Sequence, residues 1–166
     1  MILPRSGNIK NLMLYLRTFI LLVIIFFSFS FLSCLLPDKP VRKNVERSVP
    51  FFEGISEYPE PMISGKKHGL DYFMDGMILN MIYTIDNHDP VKSSLLGRSR
   101  QQAGPYTTQV NQLKYSIANN TLKPNVEYAR YWHGNTFFYR TFFLFTEYNE
   151  LKWFIYFITS LLLVAF

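Results

Sequence analysis

Cysteine is nearly absent from the chain, and this absence excludes two kinds of small protein. The only cysteine is Cys34, so the sequence cannot form an internal disulfide framework or a zinc site built from cysteines. Because Cys34 lies inside an apolar stretch, it is best read as a small packing residue. The sequence also contains no P-loop, no GxSxG elbow and no HExxH pair. Together these absences argue against a self-contained soluble enzyme.

Charge is missing from two stretches, one near each end of the chain. Residues 18–36 are 19 residues without charge, proline or glycine, and a helix of that length spans about 28 Å, close to the ~30 Å core of a bilayer. This run predicts a transmembrane helix. Residues 153–166 are uncharged too, but a helix of that length spans only about 21 Å. They predict an incomplete second transmembrane helix in the N-terminal fragment of a longer polytopic protein, or a short tail in one leaflet.

Acidic residues are absent before the first apolar run, whereas Arg5, Lys10 and Arg17 precede it. The positive-inside rule therefore predicts that residues 1–17 are cytoplasmic and that residues 37–152 form an extracytoplasmic loop. The expected location is the cell membrane, with the lipid bilayer as partner. A cleaved signal peptide and a lipoprotein signal ending at Cys34 are the alternatives, but the run is long for a signal and lacks an Ala-x-Ala site.

A clustered basic surface is also lacking, although the formal net charge is +5. The basic residues are interleaved with acidic ones, and a nucleic-acid interface needs a basic stripe or patch. We therefore expect no nucleic-acid partner.

The spacing of apolar residues and prolines predicts an all-α membrane protein with a helical central loop. Prolines predict an extended linker over residues 37–61, and glycines and arginines predict a loop over residues 91–106. The sequence predicts four further helices, of which the last is expected to lie in the membrane interface or to re-enter the membrane shallowly: residues 66–85, 107–119, 126–133 and 136–146.

Two acidic groups could carry chemistry. Asp71 and Asp75 are four residues apart on one edge of the helix predicted over residues 66–85, so they could act as acid and base or share a divalent cation. The alternative is a solvated helix flank. Asp86, His88 and Asp89 supply oxygen and imidazole ligands for a divalent cation, or form an ordinary turn at the end of a helix.

A basic pair marks a second candidate site. Arg130 and His133 are three residues apart, which places them on neighbouring positions of one helix face. A cation beside aromatic rings near a membrane can bind a lipid phosphate. The alternative is that the surrounding aromatic residues anchor the segment in the interface while Arg130 reaches the headgroups.

Two segments, LDYFMDGMILNMIY and YARYWHGNTFFYRTFFLFTEYNELKW, followed by an apolar run, resemble the start of bacterial polytopic membrane proteins of the GT-C glycosyltransferase type. The resemblance covers residues 10–166. It implies a first span, a long extracytoplasmic loop with interfacial helices, and then many spans. It also implies a lipid-phosphate-linked sugar donor and a catalytic carboxylate in the first loop, at Asp71 or Asp75.

The leading interpretation is the N-terminal portion of a glycosyltransferase-like membrane protein of cell-envelope assembly. By itself such a portion is expected to be inactive, because a donor site between spans would be incomplete. The alternative is a small two-span scaffold without catalysis, in which the methionine-bearing face of residues 70–85 binds a membrane protein partner. A transporter or channel subunit ranks last, because neither apolar segment carries a charge.

Overall fold

A computed structural model describes residues 6–58, 62–63, 66–67, 71–104, 107–128 and 135–165. Most of these residues are helical, and two short antiparallel ribbons accompany the helices. The helices are α1 (Ser6–Leu35), α2 (Asp38–Ser48), a 3₁₀ helix (Val49–Phe52), α3 (Tyr72–Thr84), α4 (Pro90–Leu95), α5 (Gln109–Ala118), α6 (Asn135–Phe143) and α7 (Tyr148–Ala165). The strands are β1 (Met62–Ile63), β2 (Lys66–Lys67), β3 (Gly97–Ser99) and β4 (Val126–Tyr128).

Helix α1 contains the predicted first span. Among the described residues, Lys10–Leu35 is the one helical stretch that is long and apolar enough to cross a membrane. Its large apolar side chains are exposed along most of its length, and only its last two turns are covered by the rest of the chain. There Ser30 is buried and its hydroxyl donates to the carbonyl oxygen of Ser94 at 2.9 Å. The end of α1 is therefore attached to a folded body.

Helix α3 is the centre of that body. Every residue from Gly76 to Thr84 is buried, because α2, α5 and α6 cover different sides of the helix. The close approach of α5 needs a glycine at position 76, where a Cβ atom would lie 3.2 Å from the backbone carbon of Gln109. Met77 and Met81, on the face predicted as a docking surface, are only 5% and 3% exposed. Phe73 and Met74, at the start of the same face, are only partly buried, so the binding of a partner there stays a prediction.

The start of α3 differs from the prediction over residues 66–85. Lys66 and Lys67 form strand β2, which pairs antiparallel with β1. The helix begins at Tyr72, where the Asp71 carboxylate accepts the backbone N–H of Met74. An aspartate in this position satisfies one of the free donors at a helix start, which fixes the boundary.

The extended linker predicted over residues 37–61 is wrong for its first half. Pro37 precedes α2 and Pro40 lies in its first turn, where a missing N–H breaks no helical hydrogen bond. Val41 and Val45 lie one turn apart and are fully buried in the core. Proline content therefore marked the beginning of a helix and not an unfolded segment.

The ribbon formed by β3 and β4 lies where the sequence predicted a loop and a helix. Residues 91–106, predicted as a loop, include all of α4 after its first residue, and strand β3. The helix predicted over residues 126–133 is a strand in its described part, because β4 pairs antiparallel with β3. The fold is thus mostly helical but not all-α.

The last two helices lie close to their predicted positions. Helix α6 matches the segment predicted over residues 136–146, with Arg140 and Phe143 buried in the body and Phe138 exposed. Its position in a membrane interface stays a prediction. Helix α7 begins at Tyr148, and from Trp153 onwards its side chains are exposed. This exposed part corresponds to the predicted second span, whose insertion in a membrane stays a prediction, as does the orientation of the chain.

Candidate functional site

The two predicted catalytic carboxylates do different things. Asp71 is exposed, and its Oδ1 caps α3 by accepting the Met74 N–H at 3.1 Å. Asp75 lies one turn later, is partly buried and faces α6 and α7. The pair therefore does not converge on one point, and only Asp75 has the surroundings of a functional group.

Asp75 is held by two phenols. The Tyr139 hydroxyl on α6 donates to Oδ1 at 3.1 Å, and the Tyr148 hydroxyl at the start of α7 donates to Oδ2. Lys152, one turn further along α7, places its ammonium 4.0 Å from the centre of the Tyr72 ring. This cluster of Asp75, Tyr139, Tyr148, Tyr72 and Lys152, here called the Asp75 cluster, joins three helices around one carboxylate.

The electrostatics of the cluster oppose ionisation of Asp75. Burial raises the pKa of Asp75 above its ordinary value and outweighs the opposite effects of the two phenols and of Lys152. Burial also raises the pKa values of Tyr139 and Tyr148, and the neighbouring carboxylate raises them further. The phenols therefore remain protonated at neutral pH and act as donors. The arrangement suits a carboxyl group that takes up and releases a proton while its orientation stays fixed.

An apolar cavity adjoins this cluster. It has a volume of about 300 Å³ and lies between α6 and α7, where it is lined by Phe138, Tyr139, Phe142, Leu151 and Ile155. Tyr139 belongs to both, because it lines the cavity and its hydroxyl donates to Asp75. A cavity of this size can take part of an apolar ligand next to the carboxyl group.

The candidate cation ligands Asp86, His88 and Asp89 form a turn. The Asp86 carboxylate accepts the His88 N–H at 2.9 Å, and the Asp89 carboxylate caps α4 by accepting the Lys92 N–H at 3.2 Å. Within the described part of the chain, no three histidine, cysteine or acidic side chains come together as a metal site would require. The geometry thus matches the turn alternative.

The predicted basic pair, Arg130 and His133, lies outside the described residues.

A different arginine occupies a central position: Arg140 is fully buried and links α6 to three other parts of the body. It donates to the Asp38 carboxylate at 2.8 Å, to the Leu36 carbonyl oxygen at 2.7 Å and to the Ile82 carbonyl oxygen at 3.2 Å. One signal of this role was visible in the sequence, namely a single arginine among the aromatic residues of the predicted helix.

Comparisons of the chain with protein-family models, with curated proteins and with solved structures found no match.

Proposed function

We propose that the chain is the membrane-anchored part of a glycosyltransferase-like protein of cell-envelope glycan assembly, with the Asp75 carboxyl as its acid–base group. The observation that carries this proposal is the environment of Asp75. Of the two carboxylates favoured by the resemblance, Asp71 is an exposed helix cap, whereas Asp75 is oriented by two phenols beside an apolar cavity.

The chemistry of sugar transfer fits a group of this kind. The acceptor oxygen forms a bond to the anomeric carbon while the bond from that carbon to the donor phosphate breaks, and the lipid phosphate leaves. The acceptor hydroxyl loses its proton in this step, and a carboxylate with a raised pKa is a stronger base than an ordinary one. The phenols of Tyr139 and Tyr148 would hold this base in one orientation. The apolar cavity between α6 and α7 would suit the lipid portion of a lipid-phosphate-linked donor.

The exposed apolar surface of α1 supports the membrane part of the proposal. Large aliphatic and aromatic side chains cover this helix on all sides, and such a surface is stable in lipid. The basic residues Lys10 and Arg17 support a cytoplasmic N-terminus, with the body containing Asp75 on the other side of the membrane.

The test replaces the chromosomal copy of the gene, so that any partner spans made by the cell are present. Membranes are assayed for transfer of a radiolabelled sugar from polyprenyl-phosphate donors to the endogenous glycan. Asp75→Asn should lower the rate by about 10²–10⁴-fold, the usual contribution of a general acid–base group. Asp71→Asn is the matched control and should leave the rate unchanged, because an asparagine also caps a helix.

Protein levels and melting temperatures of both variants are measured in the same membranes. Full transfer by a correctly folded Asp75→Asn protein would refute the catalytic role. Release of the wild-type chain from vesicles by carbonate would refute the membrane anchor.

A further inference from the structure

A second cavity lies between the end of α5 and the segment that follows β3. Its volume is about 220 Å³, and it is lined by Arg100, Tyr115, Leu122, Lys123 and Asn125. One water molecule occupies about 30 Å³ in the liquid, so this space corresponds to roughly seven water molecules. It is large enough for one phosphoryl group and part of the molecule that carries it. Two of the lining residues are cations and none is acidic.

Arg100 is the unusual member of this cavity. Its side chain is almost completely buried, with 6% exposure, and its Nε–H donates to the Leu122 carbonyl oxygen. One Nη1–H reaches the Ser116 hydroxyl at the long distance of 3.5 Å. A guanidinium has five N–H donors. The Nη2 of Arg100 has no acceptor within the described part of the chain and is open to water, so it is available to a ligand.

Among the described residues, no carboxylate forms an ion pair with Arg100. Burial lowers the pKa of Arg100, and a second guanidinium, that of Arg42, lowers it further. The only described group acting in the opposite direction is the Tyr83 phenol. A largely buried cation with another cation nearby and no carboxylate paired with it among the described residues is unfavourable, and a bound anion would reduce this cost.

The walls of the cavity are fixed by hydrogen bonds before any ligand binds. The Asn80 side chain, on the central helix α3, donates to the Arg100 carbonyl oxygen at 3.0 Å. The Asn125 side-chain amide donates to the Gln101 carbonyl oxygen at 2.7 Å and accepts the Gln101 N–H at 2.8 Å. The two segments that carry the cations are therefore tied together, which reduces the ordering cost of binding.

We propose that this cavity binds a phosphoryl oxyanion, with the Arg100 guanidinium at its buried side and the exposed Lys123 ammonium at its mouth. A planar fork of N–H donors combined with a mobile point charge matches the several oxygens of a phosphoryl group. Tyr115, a residue with a hydroxyl donor, also lines the cavity. This inference is independent of the function proposed for Asp75.

The residues that line the cavity lie outside α1, the described helix that is long and apolar enough to span a membrane. Helix α5 packs mainly on α3, whereas the apolar helix α1 packs on α4 and α6. The cavity therefore belongs to the part of the body that is built around α5.

The test uses the full chain in a neutral detergent, with ionic strength held constant by chloride. Inorganic phosphate and pyrophosphate are titrated, and binding is followed by melting temperature and by calorimetry. Wild type should show saturable stabilisation. Lys123→Gln, an exposed change that should not affect folding, should bind at least about tenfold more weakly, equivalent to one lost charge-assisted contact of about 1.4 kcal/mol.

Lys92→Gln is the matched control, because Lys92 is an exposed lysine on α4, outside the cavity. It should bind phosphate as wild type does. Arg100→Lys retains the charge but loses the fork, and should also weaken binding. Nanodiscs with and without phosphatidic acid show whether the bound phosphoryl group comes from a lipid or from a soluble compound. If phosphatidic acid competes with soluble phosphate, the cavity binds a lipid headgroup. If it does not compete, the cavity binds a soluble phosphate compound.

Three results would overturn the proposal. The first is the absence of saturable binding of phosphate and pyrophosphate up to about 10 mM. The second is an equal loss of binding in Lys123→Gln and Lys92→Gln, which would indicate general charge screening. The third is binding of acetate or citrate as tight as that of phosphate, which would assign the cavity to carboxylates.

Discussion

Replacing Arg140 by methionine is expected to remove much of the stability of the body. The guanidinium is fully buried and forms an ion pair with Asp38 at 2.8 Å, in addition to its bonds to the carbonyl oxygens of Leu36 and Ile82. Loss of one partner from a buried pair costs about 3–5 kcal/mol. The Asp38 side chain is 26% exposed, so water can solvate its carboxylate after the change. We therefore expect a loss near the lower limit, about 3 kcal/mol.

Thermal unfolding of the full chain in detergent, followed by circular dichroism, measures this loss. For a chain of this size, about 3 kcal/mol corresponds to a decrease of roughly 6–12 °C in melting temperature. Arg47→Met is the matched control, because Arg47 and Glu147 are 3.7 Å apart and their side chains are 54% and 39% exposed. An exposed pair of this kind contributes less than about 1 kcal/mol. Equal shifts for the two variants would refute the central role of Arg140.

Three further changes test the surroundings of α3. The raised pKa of Asp75 means that the folded state binds a proton more readily than the unfolded state. The wild type should therefore gain stability relative to Asp75→Asn as pH falls through the raised folded pKa towards the ordinary carboxyl value of 3.8, which denaturant titrations at several pH values would detect. Asp71→Ala should cost about 1 kcal/mol of unfolding free energy through the lost helix cap, while Asp71→Asn should be nearly neutral. Gly76→Ala should lower the melting temperature although alanine favours helices, because the new methyl group must displace α5 near Gln109 at a cost of about 1–3 kcal/mol; an unchanged melting temperature would show that α5 moves freely.

The elements that the sequence predicted best are those specified by local pattern. Helix α1 follows from an uninterrupted apolar run, and most of α3 follows from apolar residues at helical spacing. The prediction of an extended linker was wrong for its first half because proline breaks a helix in its interior but is tolerated in its first turn. Pro40 lies in the first turn of α2. The ribbon of β3 and β4 was not predicted, because each strand is three residues long and is too short to show an alternating pattern.

The candidate site was predictable only in part for a related reason. Spacing placed Asp71 and Asp75 on neighbouring positions of a helix, but it could not show that one is a cap and the other is enclosed. What distinguishes them is the pair of phenols, and Tyr139 and Tyr148 are 64 and 73 residues away from Asp75 in sequence. Contacts over such separations depend on the tertiary arrangement of α6 and α7.

Helix α6 connects the Asp75 cluster to the end of α1 through two consecutive residues. Tyr139 donates to Asp75, and Arg140 donates to the carbonyl oxygen of Leu36, immediately after α1. The Asn87 side chain donates to the same oxygen at 2.8 Å. A cation and an amide at the end of a helix satisfy free carbonyl groups and complement the negative end of its dipole. Because one short helix makes both contacts, a change that displaces Arg140 should also displace Tyr139, so the position of the Asp75 carboxyl relative to α1 is set by the packing of α6.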